Sequence, residues 1–293
     1  MSAEQQVPAE PAVRKSRAGR DLPAAILVGV GLSAAIVLTL LYWHWGFMLL
    51  ITAMLTLGVI ELHDALKRIG MISAVVPIVV GTVAVICGSY AAAAQEGPTL
   101  LPWHSVLLGF LGATVLAALI WRMPGGADGY VKDASASLFT IGYITLLGSF
   151  SGLILAAPNG AAKLSAILLT VIATDTGGYA VGARLGRHPM APQISPKKTW
   201  EGMVGSVVLA IAVAVSLTVL LLGAAWWIGL VLAVAVVAAA TCGDLIESLI
   251  KRDVGIKDMS SFLPGHGGMM DRLDSMLAVG PVSWLIMFLL IPN

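Results

Sequence analysis

A stripe of charged and polar side chains follows a long apolar run near the carboxyl end of the chain. Asp244, Glu247, Ser248 and Lys251 stand at positions i, i+3, i+4 and i+7. If the apolar run continues as a helix, this spacing places all four on one face. Such a face offers carboxylate oxygens to a cation and an ammonium group to an anion. An amphipathic surface turn is the structural alternative.

A glycine loop and a second acidic pair come directly after the stripe. Residues 264–268 read Pro-Gly-His-Gly-Gly, which is incompatible with a helix interior and lets the backbone approach a ligand closely. Asp271 and Asp274 then stand where another apolar run begins, and carboxylates complement the amino-terminal end of a helix. Capping accounts for one carboxylate, but not for all the charged side chains around the loop.

Asp175 is a further acidic position, because it follows an apolar run and precedes several glycines. A carboxylate this close to the bilayer interior costs about 2.5–3.5 kcal/mol unless it faces a partner or a polar cavity. The glycines let a neighbouring helix or a ligand approach. Asp175 is therefore either a structural residue, in an ion pair or at the membrane interface, or a functional group.

Residues 195–199 read Ser-Pro-Lys-Lys-Thr, and Glu201 follows at the start of another apolar run. Ser195 or Thr199 could cap the next helix, whose free N–H groups would then face a phosphate together with the lysines. The alternative is that the lysines only anchor the topology or attract anionic lipid.

Clustered carboxylates beside lysines and arginines favour one kind of chemistry. Mg²⁺ prefers oxygen ligands and commonly bridges carboxylates to substrate phosphates, whose charge the basic side chains neutralise. A zinc site is disfavoured, since the two cysteines lie far apart and His266 stands alone in its loop. The sequence also lacks a Ser-His-Asp arrangement and a GxxxxGK[ST] loop. The residues therefore indicate metal-dependent phosphoryl or nucleotidyl transfer.

The composition places this chemistry in a membrane. Of the 293 residues, 58% are hydrophobic and only 11% are charged, against about 25% in soluble domains. A mean hydropathy of +0.92 cannot be hidden inside a globule of this size. Soluble enzymes, disordered chains and basic nucleic-acid-binding domains are excluded, so we expect no nucleic-acid partner. The fold class is an all-α, polytopic membrane bundle.

Runs long enough to cross the hydrocarbon core predict about nine transmembrane helices. The predicted spans are 23–43, 46–62, 71–91, 104–121, 135–156, 164–182, 204–222, 226–243 and 275–292. We divide the chain into a disordered cytoplasmic tail at 1–22, amino-terminal membrane helices at 23–160 and a catalytic membrane region at 161–293.

The positive-inside bias orients the bundle. With the amino terminus in the cytoplasm, nine crossings place every Lys and Arg on the cytoplasmic side except Lys163. The predicted location is the plasma membrane, with the charged site facing the cytoplasm. The polar residues at 61–68 are interpreted as a solvated helix end with local ion pairs.

At its charged segments the chain resembles the phosphatidate cytidylyltransferases (CDP-diacylglycerol synthases). The carboxyl-terminal signature of that family is present as Ser248, Lys251-Arg252, Lys257-Asp258, Ser260, Leu263-Pro264, His266-Gly267-Gly268, Asp271-Arg272 and Asp274. The upstream segment is present as Asp175, Tyr179, Gly182, Gly186, Ser195-Pro196-Lys197-Lys198-Thr199 and Glu201-Gly202. One departure is Gly178, where many members have Ala. The first 170 residues are similar only in being a series of membrane helices.

The resemblance implies that CTP and phosphatidate react to give CDP-diacylglycerol and diphosphate. It implies Mg²⁺ with a second cation beside it (K⁺ or another divalent ion), and a homodimer. The lipid tails would stay in the bilayer and reach the site through a lateral opening.

Roles follow from the resemblance and the spacing together. Asp244 and Asp271 are the first choice as metal ligands, with Asp175, Glu247 and Asp274 as helpers. The substrate phosphates would be held by the basic side chains Lys197, Lys198, Lys251, Arg252, Lys257 and Arg272. Further substrate contacts are expected from Ser195, Thr199, Glu201, Ser248, His266, Gly267 and Gly268.

Two other functions remain open. A CTP-dependent polyprenol kinase would also use carboxylates, lysines and a membrane site. A transporter would place ionisable residues near the bilayer midplane in broken helices, often in repeated halves. Here the charges gather at one face, and no second half repeats them.

Overall fold

Helices account for nearly all of the regular structure. The computed structural model describes residues 22–95, 101–263, 265 and 267–291. Residues 1–21 of the tail predicted at 1–22 and the predicted site residue His266 lie outside the described residues. The helices are α1 (Leu22–Tyr42), α2 (His44–Arg68), α3 (Val75–Ala93), α4 (Trp103–Arg122), α5 (Tyr130–Thr140), α6 (Leu147–Ala156), α7 (Gly160–Leu185), α8 (Trp200–Leu220), α9 (Trp226–Asp253) and α10 (Met270–Leu290). A π-helical segment, Ile141–Leu146, joins α5 and α6 into one continuous helix.

The prediction of an all-α membrane bundle is confirmed. Within the described residues, 8 helices are long and apolar enough to cross a membrane, counting Tyr130–Ala156 as one. The remaining helix, α1, contributes a shorter apolar stretch, Ile26–Tyr42. Each of these nine helices, with Tyr130–Ala156 counted as one, overlaps one of the predicted spans.

Two helices run well past their predicted spans. The apolar run of α2 ends near residue 62, but the helix continues to Arg68. Similarly, α9 continues to Asp253, ten residues beyond its predicted end at 243. Charged residues end a hydrophobic run without ending a helix, and the added turns of α9 carry the acidic stripe on one face.

A short antiparallel hairpin precedes α8. Its strands are β1 (Pro189–Ala191) and β2 (Ser195–Thr199), with Ala191 opposite Ser195. The predicted helix cap is supplied by Thr199, whose hydroxyl accepts a hydrogen bond from the Gly202 N–H at 3.1 Å. The cap fixes the end of β2 to the first turn of α8.

Glycines bring α7 and α8 into backbone contact. A Cβ atom at Gly177 would lie 2.4 Å from the Gly205 carbonyl oxygen, and one at Gly205 would lie 2.6 Å from the Gly177 oxygen. The Ser206 hydroxyl also donates to the Thr174 carbonyl at 2.7 Å. Small residues allow this close crossing of membrane helices. The crossing places Asp175 of α7 beside the hairpin.

The hydrophobic core draws on both halves of the chain. Its fully buried members include Met48 and Leu55 of α2, Ile144 of the π segment, Leu232 of α9 and Met270 of α10. The helices that carry the polar end of the bundle therefore share one continuous hydrophobic core.

Candidate active site

Five carboxylates from three helices line one cleft of about 370 Å³. They are Asp175 of α7, Asp244 and Glu247 of α9, and Asp271 and Asp274 of α10. The side chains of Lys198, Ser248, Lys251, Arg272 and Ser275 share the lining. The fold thus brings together acidic residues that lie up to 99 positions apart in the sequence.

Asp244 connects α9 to the hairpin and to α10. Its Oδ2 atom lies 2.5 Å from the Lys198 ammonium nitrogen, and its Oδ1 atom accepts a hydrogen bond from the Ser275 hydroxyl. Gly243 makes the second contact possible, since a Cβ atom there would lie 2.5 Å from the Asp274 carbonyl oxygen. The sequence did not single out Ser275.

Asp271 organises the opposite side of the cleft. Its Oδ1 atom lies 2.7 Å from the ammonium nitrogen of Lys251, which also pairs with Glu247. Its Oδ2 atom accepts the backbone N–H groups of Gly268 at 2.7 Å and Met259 at 3.0 Å. Asp271 therefore holds both a cationic side chain and the glycine loop.

The lining fits a hard divalent cation by its chemistry. The five carboxylates offer oxygen atoms as metal ligands. One of these atoms, Glu247 Oε1, is buried without a hydrogen-bond partner among the described residues. Across that part of the chain, however, no group of three His, Cys, Asp or Glu residues converges as a ready-made metal site. The carboxylates pair instead with Lys198 and Lys251.

Glu61 contradicts the interpretation of residues 61–68 as a solvated helix end. Its carboxylate is 7% exposed and reaches from α2 to the glycine loop. It accepts hydrogen bonds from the Ser260 hydroxyl at 2.6 Å and from the Met269 and Met270 N–H groups at 2.9 and 2.8 Å. Two of these donors stand at the amino-terminal end of α10. Glu61 therefore anchors the loop and the helix that carry Asp271.

The glycines of the loop pack against carboxylates. A Cβ atom at Gly268 would lie 2.7 Å from the Glu61 Oε2 atom, and one at Gly267 would lie 3.0 Å from the Asp271 Oδ2 atom. Gly267 also has a φ of +81°, a conformation that favours glycine. Both residues are thus required for the loop to close over Glu61 and Asp271.

A second cavity of about 240 Å³ joins the cleft on the hairpin side. Lys197 and Thr199 line it, and Asp175, Lys198 and Asp244 belong to both cavities. The rest of its lining is largely uncharged, with Tyr179, Met190, Met203 and Thr241 among its members.

Besides the loop residues Gly267 and Gly268, four predicted site residues line neither of these two cavities. Ser195 lines neither cavity, and Arg252 and Lys257 are exposed and do not line the cleft. Glu201 accepts the N–H groups of Arg187 and His188 at 3.1 and 3.2 Å, so its carboxylate holds the chain that leads into the hairpin.

A third cavity of about 260 Å³ runs along the membrane helices and is predominantly apolar. It extends from Leu164 of α7 to Asp175 and Arg272 at its polar end. Ile172, which also lines it, is 58% exposed on the outer surface of the bundle. Asp175 lines all three cavities and marks their junction.

Comparison with known proteins gives consistent matches over nearly the whole chain. The sequence model of the cytidylyltransferase family matches residues 23–290. A phosphatidate cytidylyltransferase of Mycobacterium bovis is 36% identical to this chain. The alignment is 297 positions long and covers 96% of this chain and 93% of the relative. That of Mycobacterium leprae is 34% identical, covering 94% and 90%. That of Haemophilus influenzae is 39% identical, covering 42% and 44%. The chain therefore belongs to the cytidylyltransferase family.

Proposed function

We propose that the chain is a phosphatidate cytidylyltransferase that converts CTP and phosphatidate to CDP-diacylglycerol and diphosphate. The observation that carries the proposal is the junction at Asp175, where an apolar groove among membrane helices meets a charged cleft. A reaction between a lipid phosphate and a soluble nucleotide requires such a junction. The names of the relatives agree with it.

The lipid substrate would use the apolar groove. Its acyl chains would lie between α1, α2, α6, α7 and α10, and the phosphate would stop near Arg272 at the polar end. Keeping the chains in this groove avoids exposing their apolar surface to water. The bilayer reaches the groove at Ile172, which agrees with the predicted lateral opening.

The nucleotide would enter the cleft. Lys198 and Lys251 line it and would bind the triphosphate, leaving the adjoining cavity at Tyr179 for cytidine. One oxygen of the lipid phosphate would attack the α-phosphorus of CTP in line, forming the new P–O bond while the bond to diphosphate breaks. A phosphate monoester is largely ionised at pH 7, so positioning and charge neutralisation would matter more than a general base.

We propose Mg²⁺ as the cofactor, with K⁺ or another divalent ion as a second cation. Asp244 and Asp271 would hold the metal, with Asp175, Glu247 and Asp274 nearby. The Glu247 Oε1 atom supports this choice, because it is buried and has no hydrogen-bond partner in the described part of the chain. Bound Mg²⁺ would neutralise phosphate charge that develops during transfer. Lys198 and Lys251 would exchange their carboxylate contacts for phosphate contacts as the nucleotide binds.

We further propose that the enzyme lies in the plasma membrane with the cleft facing the cytoplasm, where CTP is available. The charge distribution supports this orientation, because all basic residues but Lys163 fall on one predicted side. A homodimer follows from the family resemblance alone.

The decisive experiment incubates the purified protein with phosphatidate and CTP labelled at either the α- or the γ-phosphate. We expect α-label in the lipid product and γ-label in diphosphate, with no product when Mg²⁺ is omitted. In a parallel reaction with a polyprenol in place of phosphatidate, transfer of γ-label to the lipid alcohol would instead identify a polyprenol kinase. Full turnover in a chelator of divalent cations would disprove the metal assignment.

A further inference from the structure

Lys163 is a buried basic residue at the end of the bundle opposite the active-site cleft. It stands in the first turn of α7, and Asp175 lies twelve residues further along the same helix, about 18 Å away. The residue is only 5% exposed, and its side chain lines a separate cavity of about 220 Å³. The proposed reaction makes no use of it.

The ammonium group of Lys163 has no opposing charge among the residues that the structure describes. Within residues 22–95, 101–263, 265 and 267–291, the lysine side chain has neither an ion pair nor a hydrogen bond. A charged side chain at membrane depth normally pairs with another group. The described part of the chain therefore does not supply the counter-ion that the burial of Lys163 calls for.

The amino-terminal end of α7 adds positive potential at the same place. Asn159 precedes the helix with a left-handed φ of 54°, and its side chain does not cap the helix. Ala157 and Pro158, which lead into the helix, line the cavity with Lys163. An uncapped helix start attracts anions, so the helix and the lysine favour the same ligand.

The walls of the cavity favour a ligand with an apolar body. Leu153, Trp284, Met287 and Phe288 line it, and Trp103 closes one side. Phe288 is 58% exposed, which continues the apolar wall onto the lipid-facing surface of α10. Tryptophan side chains typically lie at the level of lipid headgroups. A freely soluble anion would gain nothing from this lining.

We propose that this cavity binds the phosphodiester group of an anionic phospholipid from the leaflet opposite the active-site cleft. One lipid charge would pair with Lys163 and the start of α7. The acyl chains would follow the surface beside Phe288. Inorganic phosphate shares the charged chemistry but lacks the apolar contacts, so it should bind much more weakly.

The test measures thermal stabilisation of the full chain in neutral detergent as phosphatidylglycerol, phosphatidylcholine or inorganic phosphate is added. We expect phosphatidylglycerol to be the effective ligand. Lys163→Gln should raise its half-saturating concentration about tenfold, whereas Lys163→Arg should retain binding. Lys67→Gln is the matched control, because Lys67 is an exposed lysine at the other membrane face.

A second variant leaves the lysine in place. Ala157→Asp puts a competing carboxylate on the cavity wall and should weaken phosphatidylglycerol binding as much as Lys163→Gln. Unchanged binding in both variants would overturn the proposal. So would equal half-saturation by inorganic phosphate, which would indicate a simple anion site. CDP-diacylglycerol formation by each variant reports that it is folded.

Discussion

Asp271 contacts both a cationic side chain and the backbone of the glycine loop. One carboxylate oxygen faces the Lys251 ammonium group, and the other accepts two backbone N–H groups of the loop. A carboxylate with two such donors is fixed in orientation. The charge at this position and the shape of the loop therefore depend on the same side chain.

Asp271→Asn should lower turnover at least about 100-fold, a loss typical of removing one preorganised charge from an active site. The amide keeps the size of the side chain but cannot neutralise Lys251 or bind a cation as strongly. The measurement is the rate of CDP-diacylglycerol formation at saturating CTP. Asp253→Asn is the control, since Asp253 is an exposed aspartate at the end of α9. Near-normal turnover in Asp271→Asn would show that its charge is dispensable.

Glu61→Gln should destabilise the protein by about 1–3 kcal/mol, the usual cost of leaving a buried N–H group without an acceptor. Glutamine retains one oxygen, so its NH₂ group would face either the Met269 or the Met270 N–H group. The midpoint of thermal unfolding in detergent measures this loss. Asp64→Asn, an exposed position one turn along α2, should leave the midpoint unchanged. Equal midpoints for both variants would contradict the anchoring role.

The acidic stripe was predictable from the sequence, whereas the anchoring role of Glu61 was not, for a physical reason. The stripe residues are neighbours on one helix, so their spacing alone predicts that they share a face. The partners of Glu61 lie 199 to 209 positions away. Nothing in the local sequence distinguishes a carboxylate at a solvated helix end from one that anchors a distant loop.

At the scale of helices, two close crossings position the cleft. The contact between α7 and α8 holds Asp175 near the hairpin, and the contact between α9 and α10 holds Asp244 near Ser275. Both depend on glycines that leave room for the neighbouring backbone. Helix spacing therefore sets the distances between the side chains that line the cleft.

Gly243→Ala should separate α9 from α10, because the added Cβ atom would meet the Asp274 carbonyl oxygen. Overpacking of this kind costs about 1–3 kcal/mol, and we expect turnover to fall more than tenfold as Asp244 moves away from Ser275. Turnover and the unfolding midpoint are measured together. Gly112→Ala on α4 is the control, because a Cβ atom there meets nothing within 4 Å. This variant should lower neither turnover nor the unfolding midpoint. Wild-type turnover in Gly243→Ala would show that the close crossing of α9 and α10 is not needed to position Asp244.

The membrane helices were largely predictable, whereas the hairpin was not. A helix that crosses a bilayer must satisfy its own backbone and bury an apolar surface, so its composition identifies it. Strand β1 has only three residues and β2 has five, too few for an alternating pattern to identify them as strands. Only the cap at Thr199 gave a correct local prediction in this segment.

For the whole molecule, the charge distribution predicts the orientation. In a variant with Cys87 and Cys242 replaced by alanine, Gln95→Cys should react with a membrane-impermeant maleimide in intact cells. Asp128→Cys should react only after the membrane is opened, because four crossings place it in the cytoplasm. Both residues are exposed. The reverse labelling pattern would show that the bundle is inverted.

The junction at Asp175 offers the two products of the proposed reaction separate exits. A diphosphate formed in the cleft would diffuse into water, while a liponucleotide would leave sideways past Ile172 with its acyl chains still in the bilayer. The two substrates would likewise arrive from two different media, one three-dimensional and one planar. The proposed reaction therefore predicts that turnover depends on the composition of the surrounding lipid as well as on the nucleotide concentration.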